Sequence, residues 1–165
     1  MLGWFENTAV GMWVDTSPWA YPFLLTVHGL GMAVVVGLTA IIAIRILGFP
    51  AKVPLGAYRA LMPFLMVAFF FNALSGVVLY TTDAIALTAN LSFQIKMASI
   101  VIGLVVLWRL HVVVLMDADQ AESAGGEGTY VLPKSAKALA IAAVAIWWLS
   151  VIVSGRLVAY LSAAA

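Results

Sequence analysis

The chain of 165 residues contains no cysteine. Disulfides, thiolate metal sites, iron–sulfur clusters and covalent c-type haem attachment are therefore excluded, and the redox compartment is left open. Charge is almost as scarce: 9% of residues are charged, against 65% apolar. With a mean hydropathy of +1.12, too little polar surface remains to build a soluble exterior. A net charge of +1 without a basic tract gives no footprint for nucleic acid. There is no HExxH, no GxSxG, no phosphate-cradling loop and no pair of carboxylates inside an apolar run, so protease, kinase, pump and proton-coupled antiporter chemistry lack their parts.

What the chain does have is four long apolar stretches, over residues 19–44, 60–80, 91–115 and 138–160, none with an acidic residue. A hydrocarbon core of about 30 Å needs about 20 residues of helix, and each stretch meets that length. The connections are too short to hide a second domain. The expected fold is all-α: one membrane domain over residues 1–165, built as a four-helix bundle and preceded by a short interfacial helix over 1–17. In that N-terminal segment Leu2, Phe5, Ala9, Met12 and Trp13 recur at helical spacing. Trp4, Trp13, Trp19 and Tyr21 suit headgroup depth, and Pro18 and Pro22 punctuate the entry to the first span. No basic segment precedes that span, and Glu6 and Asp15 lie ahead of it, so the segment is expected to be retained as a lipid anchor.

Basic residues set the orientation. Arg45, Lys52 and Arg59 flank the first connection, and Arg109, Lys134 and Lys137 flank the third. In a bacterial inner membrane both would face the cytoplasm, which places both termini and the second connection, 81–90, in the periplasm. The third connection, 117–133, mixes Asp117, Asp119, Glu122 and Glu127 with Gly125 and Gly126 and is expected to be a solvated loop.

At about 1.5 Å of rise per residue, His28 lies roughly 6 Å to the outer side of the midplane and His111 roughly 12 Å to the inner side. An 18 Å offset, roughly, prevents the two from clamping one haem, whose axial nitrogens stand about 4 Å apart. Asn72, Ser75, Ser99 and Ser154 share the outer half with His28, and Lys96 and Arg156 lie about 10 Å from the midplane on the same side. Three readings of His28 stand together. It is a ligand to a single haem b, completed by a weak partner such as Met97 and with Lys96 and Arg156 at the propionates. It is a hydrogen-bonded packing residue, partnered by Asn72 or a serine. Or, with Met32 at i+4 and Met97, it forms a soft Cu(I) site. The cations have a plain alternative in snorkelling to headgroups, and Gly29, Ala33 and Gly37 have one in close helix packing. His111, in Trp108-Arg109-Leu110-His111, sits near Arg45 and Arg59 in depth, where cations could receive a quinone headgroup, an anionic lipid or a neighbouring subunit.

The pattern Trp4, Glu6, Trp13, Ser17-Pro18-Trp19, Tyr21-Pro22, His28-Gly29, Arg45-Ile46-Leu47-Gly48, Asn90, Phe93, Lys96 and Gly155-Arg156-Leu157-Val158-Ala159-Tyr160 resembles that of a bacterial inner-membrane four-helix family of unknown function. The likeness runs nearly the whole chain. More distantly, the chain is similar to cytochrome b561-type and copper-resistance membrane proteins, which also carry a histidine in a helix; most ligand histidines of the b561 type are absent here. The resemblance implies that His28, Lys96 and Arg156 act together, on the periplasmic side. The expected function is a small redox subunit with one haem b held through His28, near Lys96, Met97, Asn72 and Arg156, passing electrons between a periplasmic partner and the quinone pool. The alternative is a cofactor-free accessory or anchoring subunit, partnered by lipids and by other membrane subunits or copies of itself.

Overall fold

The computed structural model describes residues 3–49, 52–124 and 131–150. Every element among them is helical: α1 (Gly3–Glu6), α2 (Ala9–Thr16), α3 (Ala20–Leu47), α4 (Met62–Tyr80), α5 (Ala84–Ala89), α6 (Leu91–Leu110), α7 (Asp117–Ser123) and α8 (Ala136–Trp148). A 3₁₀ turn, Gly56–Leu61, leads into α4, and a π-helical turn, His111–Met116, joins α6 to α7. Three continuous helices, Ala20–Leu47, Gly56–Tyr80 and Leu91–Ser123, are long and apolar enough to cross a membrane. The fourth apolar stretch is described only as α8 and residues 149 and 150; its remainder, with Ser154, Gly155, Arg156 and Tyr160, lies outside the described residues, as do Leu2, Gly125, Gly126 and Glu127.

The distribution of side chains is that of a protein solvated by lipid. Phe64, Phe70, Val77 and Val101 are more than half exposed, whereas Thr39, Asn72, Ser75 and Ser92 are buried. Large apolar side chains outside and polar ones inside reverse the order that water imposes. The three long helices run without a break over Ala20–Leu47, Gly56–Tyr80 and Leu91–Ser123, which pairs backbone groups within the helix as an environment without water requires.

α3 packs along α4 and along α8, and α8 packs along α6. Among the described residues α4 and α6 have no comparable packing. The core lies at the end formed by the first and third connections, where Ile42, Ile46, Leu110, Leu115, Ala136 and Ala140 are buried together. A second cluster, at mid-bundle, joins Val35, Leu65, Leu107 and Trp147, one from each of the four helices. α3 stops at Gly48, which holds φ at 118° while its N–H reaches the Arg45 carbonyl; only glycine takes that backbone readily.

Two segments differ from the sequence expectation. The N-terminal helix is two helices, because the Thr8 hydroxyl accepts from Gly11 N at 3.1 Å and starts α2 afresh. It is also docked onto protein: Glu6 Oε1 accepts from Ile85 N at 2.9 Å, Phe5 meets Tyr80 edge-on, and a Cβ on Gly11 would stand 3.1 Å from the Thr81 carbonyl. Trp4, Trp13 and Trp19 nonetheless stay exposed. The second departure is at 117–123, expected as loop and found as α7. Ala, Gln and Glu are good helix formers, and the end of the segment is tied to the first connection: Arg59 pairs with Asp119, and Glu122 accepts from Gly56 N at 3.2 Å. Gly56 is required there, since a Cβ would lie 2.6 Å from Asp119 Cα. Leu91–Ser123 spans 33 residues, roughly 50 Å, so α7 extends past a hydrocarbon core of about 30 Å.

Candidate functional site

Polar groups gather at the two ends of the bundle, one set around His28 and one around His111. In α3, His28 faces α4 across a contact that only small residues permit. A Cβ on Gly76 would lie 2.9 Å from His28 Cε1, and one on Gly31 would lie 2.9 Å from Asn72 Cβ and 3.1 Å from the Ala68 carbonyl. Within this contact His28 Nδ1 donates to the Asn72 carbonyl at 2.9 Å, and Asn72 Nδ2 donates to the His28 carbonyl at 2.6 Å. Each residue thus offers its side chain to the other's main chain. Ser75 Oγ lies 3.3 Å from the same ring nitrogen and itself donates to Phe71 and Asn72 carbonyls, at 2.8 and 3.0 Å. Because the partner is a carbonyl, the ring proton sits on Nδ1 and Nε2 carries the lone pair.

Of the other residues expected at this end, Lys96 lies within electrostatic range of His28. Met97 is 40% exposed on the flank of α6, and Ser99 turns its hydroxyl back to the Ile95 carbonyl at 2.8 Å. Arg156 and Ser154 fall outside the described residues. A Cβ added to Gly29 or Gly37 would meet nothing within 4 Å, so the seam Gly29, Ala33, Gly37 is turned outward and the close approach to α4 is made by Gly31 instead. The sequence contained this signal only as isolated small residues, Gly31, offset by two from that seam, and Gly76 in the facing helix.

The residues fit a haem only in part. Along α4 and its leading turn, Gly76 beside His28 and Arg59 beside His111 are 17 residues apart, roughly 25 Å, so the two imidazoles cannot share one iron. His28 offers one nitrogen, and among the described residues no three His, Cys, Asp or Glu side chains gather as a metal site.

At the other end, His111 opens the π turn that follows α6. Its Nδ1 is buried and has no hydrogen-bond partner, and its charge-bearing neighbour is Arg59. Between α4 and α6 a slit of about 660 Å³ runs from these two residues toward mid-bundle, lined by Met62, Met66, Phe69, Leu104 and Trp108. Nothing in the sequence marks the slit, because it exists only where two successive long helices fail to pack against each other. Trp147, whose indole Nε1 is also buried and unpaired, fills the space behind it, edge-on to Phe69 and against Gly103.

No family model, curated protein or solved structure matches this chain. Its function therefore has to follow from the geometry of its own side chains.

Proposed function

We propose that the protein is a multi-pass subunit of the bacterial inner membrane, a four-helix bundle with both termini periplasmic, that serves as a cofactor-free accessory or anchoring component of a larger complex. The observation that carries this reading is the reciprocal bonding of His28 and Asn72. A polar residue inside a span needs a reason, and packing supplies one here: the Nδ1 side of the ring, the Asn72 amide, two main-chain carbonyls and Ser75 bond to one another across α3 and α4. The outward seam of Gly29, Ala33 and Gly37 adds support, since it allows close approach of a helix from outside the chain.

One observation favours a second reading. The Nδ1 bond to a carbonyl leaves the Nε2 lone pair free and fixes the ring, as the outer hydrogen bonds of metal-bound histidines do. A single haem b at His28, with Lys96 and Arg156 toward its propionates, would make the protein the redox subunit that the sequence suggested.

A reduced-minus-oxidised spectrum decides between them, with haem quantified per chain on gently solubilised protein expressed with haem supplied. The accessory reading expects no b-type band and co-purification with partner subunits in native electrophoresis, weakened by Gly29→Leu with Gly37→Leu. A near-stoichiometric band that disappears in His28→Phe overturns it in favour of the haem.

A further inference from the structure

We propose that the slit between α4 and α6 is a binding site for a quinone, with its ring at His111 and its isoprenoid tail running along the slit into the surrounding lipid. Such a site does not depend on whether the protein carries a haem, because the slit lies at the opposite end of the bundle from His28.

Three observations select the ligand. The first is shape. A slit of about 660 Å³ has the size of a small-molecule site, and its walls, Met62, Met66, Phe69 and Leu104, are apolar and adaptable enough for a branched hydrocarbon chain. The second is the unmet bond. His111 lines the end of this slit, and its Nδ1 is buried without a partner, so the ring is costly where it stands until a small turn toward a ligand gives it one. A neutral imidazole offers one donor and one acceptor, which match the carbonyl of a quinone or the hydroxyl of a quinol. Trp108, also lining the slit, supplies an aromatic face for a flat ring.

The third is charge. Arg59 is the slit's cation, but its guanidinium is already paired with Asp119. The pair is neutral, so a phosphate headgroup would find no net positive charge there, while a neutral ring with carbonyl oxygens needs none. Arg59 retains further N–H donors beyond the one that Asp119 uses, and these can reach a second oxygen.

The test is a binding isotherm for decylubiquinone on the full chain in phosphatidylcholine nanodiscs, read by tryptophan quenching against empty discs. Saturable binding is expected, weakened about tenfold in His111→Phe through loss of one hydrogen bond. It should be abolished in Leu104→Trp, which fills the slit, with melting temperatures unchanged. Quenching that never saturates, or that survives both variants, overturns the proposal. So does retention of phosphatidylglycerol or cardiolipin in native mass spectra, sensitive to His111→Phe, in protein that binds no decylubiquinone. Should a variant fail to fold, photolabelling of the unmodified protein with an azido-ubiquinone decides. Label in peptides 62–69 and 104–111 supports the site, and label confined elsewhere removes it.

Discussion

The two histidines of this chain sit at opposite ends of one bundle and in opposite states. His28 is wedged between α3 and α4 with its Nδ1 bonded to the Asn72 carbonyl, while His111 borders a slit with its Nδ1 bonded to nothing. Residue type is the same, both lie on apolar helices, and the consequence differs. A polar group bonded across a helix contact contributes to the architecture, and one left without a partner in a side chain that lines a slit is a place for something else to bind. The glycines repeat the lesson within α3: Gly31 faces α4 too closely to accept a Cβ, whereas Gly29 and Gly37, at neighbouring turns, face open space.

The sharpest way to break this comparison is at the α3–α4 contact. Gly31→Leu would drive a side chain into Asn72 and the Ala68 carbonyl, and overpacking of this kind costs about 3 kcal/mol. A large fall in melting temperature in detergent is expected, beside little change in Gly29→Leu; equal behaviour of the two would mean that α3 packs on another face. Next in size is the reciprocal bond. Asn72→Leu removes the donor to the His28 carbonyl and should cost about 1 kcal/mol, typical of interhelical hydrogen bonds in membranes. A thermodynamic cycle with His28→Phe should show coupling between the two positions, and additive effects would dissolve the pair.

At the other end the expected effects are small, and one has the opposite sign. Asp119→Ala removes a partner of Arg59 at a site where both side chains are at least a third exposed, so the loss should be about 0.5 kcal/mol or less and vanish in high salt. His111→Phe should leave the melting temperature unchanged or raise it slightly, because an apolar ring replaces a polar atom that has no partner. A clear destabilisation would show that His111 is structural after all, and that the two ends are alike.

Much of this was legible without a structure. Apolar runs with no acidic residue read directly as membrane spans, because hydrophobic length is a property of the chain and not of its packing. The inside partner of His28 was also within reach: Asn72 and Ser75 have the right depth, and depth follows from counting residues along helices. Counting around helices fared less well. The seam Gly29, Ala33, Gly37 is the more regular small-residue pattern, yet Gly31 makes the contact, since which face of a helix turns inward depends on its neighbours. Likewise the acidic run 117–123 reads as loop from its charges, but its helical formers and the Arg59 and Gly56 contacts hold it as α7.

The sequence alone therefore determined three apolar helices long enough to cross a membrane and the separation of the two histidines, which keeps them from sharing one haem, all consequences of length and rise along a helix. Tertiary structure alone decided that His28 is bonded and His111 is not, and that α4 and α6 stand apart. Both depend on distances between helices, which the rise along a single helix cannot give, and those distances are set by how side chains of three or four helices fill the space between them.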